Sequence, residues 1–155
     1  MELAEARALV QAKTGKDSTV RHLISVEGVM RALARRFGED EHRWALAGLF
    51  HDLDQDRTGE DSSRHAYLAA EWLREARVEE PVINAVLAHA HEQYRTDLMA
   101  KAVVHADAIA GLLVAAALVR PERSAGMKVS SVKKKLKERS FAPGVNRDEV
   151  LAVLR

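Results

Sequence analysis

Apolar residues recur at helical spacing along nearly the whole chain, and no segment alternates strictly between apolar and polar as a half-buried strand does. That periodicity predicts an all-α fold. A first helix is expected over about 3–13, stopped by Gly15. Ser18 can cap a second, in which Leu23, Val26, Met30, Leu33 and Phe37 form one stripe ahead of Gly38. A third, over about 41–54, is apolar nearly all round (Trp44, Leu46, Leu49, Phe50, Leu53), as a central buried helix is. The polar run 55–62 reads as a loop, and a fourth helix follows from Ser63 with Leu68 and Trp72 inward. Pro81 suits the first turn of a fifth, ending near Glu92. Thr96 can cap a long sixth that runs to Val119 and is terminated by Pro121. A short basic helix over about 130–139 and a last one opened by Asn146 and Glu149 complete the pattern.

At 155 residues, 47% hydrophobic and 30% charged, the chain suits one globular domain and not a disordered segment. We expect a single domain over 1–155, with 130–155 packed on it as an extension. A net charge of +1 carries no whole-chain signature of a nucleic-acid or membrane binder. Cysteine is absent, so any metal must be held by nitrogen and oxygen, a composition that suits a reducing cytoplasm. The opening MELAEARALVQAK lacks the basic-then-apolar layout of a signal peptide. The apolar stretch 108–119 is shorter than the ~20 residues a bilayer requires. The expectation is a soluble, cytoplasmic protein without a membrane partner.

Polar residues in apolar helices mark the candidate chemistry. His51 and Asp52 are adjacent at the end of the third helix and point about 100° apart, so one ion can meet both only above the wedge between them. They are either a solvated helix end or a pair of ligands. Gly48, one turn back, would leave space beside an ion. Asp107 lies in AVVHADAIAGLLVAAALV, where an unpaired carboxylate would cost several kcal/mol. It needs a proton, a basic partner or a metal, and Gly111 again clears space. His22 sits beside Val26 and Val29, His65 beside Leu68 and Trp72, and His89 beside Ala85 and Val86. Singly, each reads as an ordinary core histidine; together with two carboxylates they suggest convergence. Two imidazoles and two carboxylates leave open positions on a six-coordinate divalent ion.

In order, His22, then His51 and Asp52 after LAGLF, then Asp107 give H…HD…D, and the chain resembles the HD superfamily of metal-dependent phosphohydrolases over nearly its whole length. His65 in HAYLAAEWL and His89 in AVLAHAH fit the family's later histidines. The segments DAIAGLLVAAALVRP and SVKKKLKERSFAPGVNRDEV look like a subgroup mostly without an assigned substrate. The resemblance implies that His22, His51, Asp52 and Asp107 hold a divalent ion (Mn, Fe, Co, Ni, Mg or Zn). It also implies hydrolysis of a phosphate ester or anhydride, a nucleotide among the candidates. Asp52 would orient or deprotonate water while it ligates, and His65 and His89 would assist catalysis by orientation or phosphate contact.

Many members continue the pair as HD-x-G-K; here HDLDQ puts Asp54 and Gln55 in place of the glycine and lysine. Arg57, Arg64 and Arg95 could replace the phosphate contact or could be surface residues. We expect one ion per chain, His65 and His89 outside its coordination, and Asp54, ~200° round the helix from Asp52, pointing away. The alternatives are a non-catalytic metal- or nucleotide-binding signalling module and a nucleic-acid-binding module working through Lys133, Lys134, Lys135, Lys137 and Arg139. No aromatic residues interleave with those lysines, so a solvated helix face is the simpler reading and a nucleic-acid partner is not expected. A homodimer is compatible with the sequence.

Overall fold

The apolar periodicity resolves into helices throughout. A computed structural model describes residues 1–59 and 61–152, and no strand occurs among them. The helices are α1 (Leu3–Lys13), α2 (Asp17–Phe37), α3 (Glu41–Phe50), α4 (Gln55–Thr58), α5 (Tyr67–Glu75), α6 (Glu80–Ala90), α7 (Leu98–Leu118), α8 (Val129–Lys137) and α9 (Arg147–Ala152), with a 3₁₀ turn at Glu92–Tyr94. The last three residues of the expected final helix, 153–155, lie outside the described residues.

Local chemistry accounts for most of the boundaries. Gly38 ends α2 with φ 72°, a left-handed conformation that glycine adopts without a Cβ clash. Pro81 lies in the first turn of α6, as expected. Asn146 Oδ1 accepts from the backbone N–H groups of Asp148 and Glu149, capping α9. Two caps differ from the sequence expectation. Asp97, not Thr96, caps α7 by accepting from Ala100 N at 2.8 Å. Ser18 lies inside α2, and the turn before it is held by Asp56, which accepts from Gly15 N, Lys16 N and Thr19 Oγ1. The third helix is also shorter than expected: α3 stops at Phe50, and residues 51–54 form a turn.

Helices α2, α3, α6 and α7 pack around a core that includes Leu23, Met30, Trp44, Leu49, Phe50, Ile83 and Val103. Each large aliphatic side chain buried there contributes ~1.5–3 kcal/mol relative to exposure. Helix α1 crosses onto this layer, tied by Arg7 donating to both oxygens of the buried Glu27. Helix α7 has an 18-residue window of mean hydropathy 1.7 and is long and apolar enough to cross a membrane, contrary to the limit drawn from 108–119 alone. Here it packs against α2 and α6 and receives α8 and α9 on another side.

Candidate metal centre

Three elements bring the four H…HD…D residues together: α2 carries His22, the turn after α3 carries His51 and Asp52, and α7 carries Asp107. The close approach of α2 to α3 depends on Gly48. A Cβ there would stand 2.8 Å from Val26 O and 2.9 Å from Met30 Cγ. The space left by this glycine therefore admits the α2 backbone and not, as expected, an ion. Gly111 faces Val145, whose Cγ2 would lie 3.6 Å from an added Cβ, so its space serves the C-terminal segment.

His51 is fully buried, and its Nδ1 hydrogen-bonds Gly48 O at 2.8 Å, which turns Nε2 towards the centre. His22 Nε2 lies 3.2 Å from His51 Nε2 and 3.0 Å from Asp107 Oδ1. Asp52 Oδ2 stands 3.4 Å from His51 Nε2 and 3.8 Å from His22 Nε2. Neighbouring ligands around an ion at 2.0–2.1 Å are roughly 3 Å apart, so this spacing fits a single divalent cation. Two neutral imidazole nitrogens facing each other at such a distance cannot both accept, whereas both can ligate. Asp107 is less enclosed than the sequence suggested, with a third of its side chain (33%) accessible.

The other oxygen of Asp52 faces a second pair of histidines. Oδ1 lies 3.2 Å from His65 Nε2 and 3.1 Å from His89 Nε2. Among the described residues, buried Asp52 Oδ1 and His89 Nδ1 have no hydrogen-bond partner of acceptable geometry. A buried acceptor without a donor is costly, and a cation between Oδ1 and the two imidazoles would satisfy it. His51, Asp52 and His89 also offer ligand atoms all within 4.8 Å of one another, as do His51, His22 and Asp107. His65 and His89 thus share a carboxylate with the four residues above. Asp54 does not reach the centre itself: it is fully buried and binds the far side of His65.

Electrostatics concentrate on the same groups. Burial alone would depress the His51 imidazolium, but the Asp52 and Asp107 carboxylates outweigh it and push its pKa up to about 9. The approach of Asp52, then that of Asp54, raises His65 to about 9. Burial pushes Asp52 up, yet His51, His65 and His89 together hold it well below the carboxylate range. Asp107 is lowered in the same way, with burial pushing it up and His22, His51 and His89 together overcoming it. In the absence of a cation, protons on His51 and His65 balance the two acids at neutral pH.

A cleft of about 260 Å³ opens from His89 and Asp107 and is walled by Gly111, Val145, Asn146 and Glu149. Glu149 pairs with His105 at 2.9 Å instead of closing a reciprocal cap on α9. Of the residues proposed to replace the missing lysine, Arg95 donates to Ala88 O, and Arg57 and Arg64 have no hydrogen bond or ion pair with the cluster among the described residues. The Lys133 face lies on α8, lining a separate surface hollow with Leu136, Arg139 and Arg147. Sequence reading placed Asp54 only as pointing away and missed its bond to His65, and it missed Asp56 and His91, each of which acts through contacts made many residues away.

A family model described as HD domain matches residues 19–112, which contain all six residues of the cluster; α8 and α9 lie beyond the match. Ribonuclease Y 2 of Levilactobacillus brevis is 33% identical over 90 residues, covering 58% of this chain and 17% of that protein. Ribonuclease Y of Nitratiruptor sp. is 36% identical over 89 residues, covering 57% of this chain and 17% of the relative. Ribonuclease Y of Campylobacter concisus is 30% identical over 92 residues, with 59% and 18% covered. The chain therefore spans less than a fifth of the length of these relatives. No solved structure matches it.

Proposed function

The chain belongs to the HD-domain family, and from that footing we propose that it is a metal-dependent phosphohydrolase cleaving a phosphate ester or anhydride. The observation that carries this reading is Asp52, a mostly buried carboxylate whose two oxygens face two separate pairs of histidines. His22, His51, Asp52 and Asp107 would hold one divalent cation; Asp52, His65 and His89 would hold a second, in place of the single ion expected from the sequence. When bound, such ions supply Lewis acidity towards a phosphoryl oxygen and lower the pKa of water.

The protein's own contribution is position and orientation. Asp52 stays a carboxylate at neutral pH and can accept a hydrogen bond from the attacking water, orienting it without leaving the cluster. His89 stands at the inner end of the cleft, beside Asp107, where the leaving group would depart. Val145 and Gly111 give that cleft an apolar patch, and Asn146 and Glu149 give it polar edges. This lining suits an uncharged moiety attached to the phosphate, as in a nucleotide. The ribonuclease names of the relatives favour a second reading within the same chemistry, in which the scissile bond is a phosphodiester of RNA.

The test is a screen of protein loaded with Mn²⁺, Co²⁺ or Ni²⁺ against nucleotides, nucleoside pyrophosphates, bis-aryl phosphodiesters and short RNA. We expect turnover of at least one class, with Asp52→Ala lowering the rate by at least ~10²-fold. Equal rates for wild type and Asp52→Ala would place the activity elsewhere. No turnover across the panel would leave a binding module.

A further inference from the structure

His65 is held more firmly than its position in a turn requires. Its Nδ1 lies 2.8 Å from Asp54 Oδ1, and Asp54 is fully buried. Its carbonyl oxygen is 2.9 Å from His91 Nε2, which donates to it. The His91 ring stacks on Tyr67 with centroids 4.3 Å apart. The next residue, Ala66, adopts φ 68° as the residue leading into α5, a left-handed conformation that a non-glycine residue takes only when its surroundings impose it. These restraints converge on one outcome: His65 Nε2 is directed at Asp52 Oδ1, 3.2 Å away.

We propose that Asp54 is the positioning residue of this centre, fixing the tautomer and direction of His65 so that its Nε2 lone pair is available to a cation shared with Asp52. The proposal rests on the two-cation reading above. Its chemical basis is the division of labour between Asp54's oxygens. Oδ1 takes the His65 side, while Oδ2 accepts from the backbone N–H of Ala69 at 3.0 Å. Both partners are donors, so the site calls for two acceptors on one side chain, which a carboxylate has and an amide lacks. Orienting a ligating histidine through its other ring nitrogen is a general means of strengthening a metal site. The Asp54 carboxylate therefore links α5, through Ala69, to the aim of His65.

Asp54→Asn separates this role from packing because it keeps the shape. The Ala69 N–H cannot turn round, so the single amide oxygen must serve it. The NH₂ group then faces His65 Nδ1 and makes that nitrogen an acceptor, moving the ring proton to Nε2, where it blocks ligation. We expect dialysed wild type to retain two Zn²⁺ per chain and Asp54→Asn to retain one, or to bind the second at least ~10-fold more weakly. Circular dichroism should show the variant to be helical.

A second measurement needs no variant. Long-range ¹H–¹⁵N correlation on Zn²⁺-loaded wild type should show His65 protonated at Nδ1 and bare at Nε2. Two tightly held ions in both proteins would overturn the role of Asp54 and leave the two-cation reading standing. One ion in wild type would overturn both. A proton on His65 Nε2 in the Zn²⁺-loaded protein would overturn the proposal even if Asp54→Asn failed to fold.

Discussion

His51 shows how the metal-free centre is balanced. Its pKa rises from an ordinary 6.5 to about 9, so the stability it contributes is fully present below pH 6.5 and is lost as pH climbs through about 9. Asp52 and Asp107 are depressed from 3.8; their contribution is present above that value and disappears as pH falls. Chelator-treated protein should accordingly melt at its highest temperature between about pH 4 and 6.5 and at progressively lower temperature towards pH 9. With Zn²⁺ the trend over that upper range should reverse, because ligation needs neutral imidazole. Equal melting of chelated protein at pH 6 and 9 would refute this balance. At this scale the sequence was informative where a polar residue interrupts an apolar helix, as with Asp52 and Asp107. Asp54 escaped because its partner His65 lies beyond a turn whose path no periodicity describes. Helical spacing put Asp54 ~200° from Asp52, which says where it should not point and not what it meets.

Among the helices, the closeness of α2 and α3 decides whether His22 can reach His51. Gly48→Ala places a methyl group against Val26 O and Met30 Cγ and must push the two helices apart. We expect a loss of about 1–3 kcal/mol, read by denaturant unfolding, together with weaker Zn²⁺ retention. Full stability and full metal content in this variant would show that the contact yields without moving the ligands. The helices themselves were legible because their apolar stripes are long, and α1, α2 and α7 begin and end within a residue or so of the expected limits. Which residues cap them was less legible. Asp97 and Thr96 are both good caps, and the choice between them depends on how Asn84 Nδ2 bridges Tyr94 O and Thr96 on the way into α7. Likewise Asp56, far along the chain, takes over the work expected of Ser18.

In the whole molecule, the matched HD region supplies the His/Asp cluster, and the segment beyond it supplies much of the cleft wall through Val145, Asn146 and Glu149. Under the proposed function, the C-terminal segment could tune the fit of a substrate without disturbing the cluster. Sequence could place α9 after Asn146 but could not show that it folds back beside Asp107, since that return is a matter of tertiary packing. Helix α7 carries a further consequence for the newly made chain. Before it packs, this helix is 21 residues long with an 18-residue window of mean hydropathy 1.7, and Asp107 stands close to its midpoint. An aspartate at the centre of a bilayer-spanning helix opposes insertion by ~2.5–3.5 kcal/mol. Asp107→Leu should remove that opposition and send part of the expressed protein into a carbonate-resistant fraction that floats with lipid. A variant that pellets only as aggregate, or fractionates like wild type, would refute this. The carboxylate proposed to hold a cation would then also act during biosynthesis, steering a greasy helix away from the insertion machinery before its partners are in place.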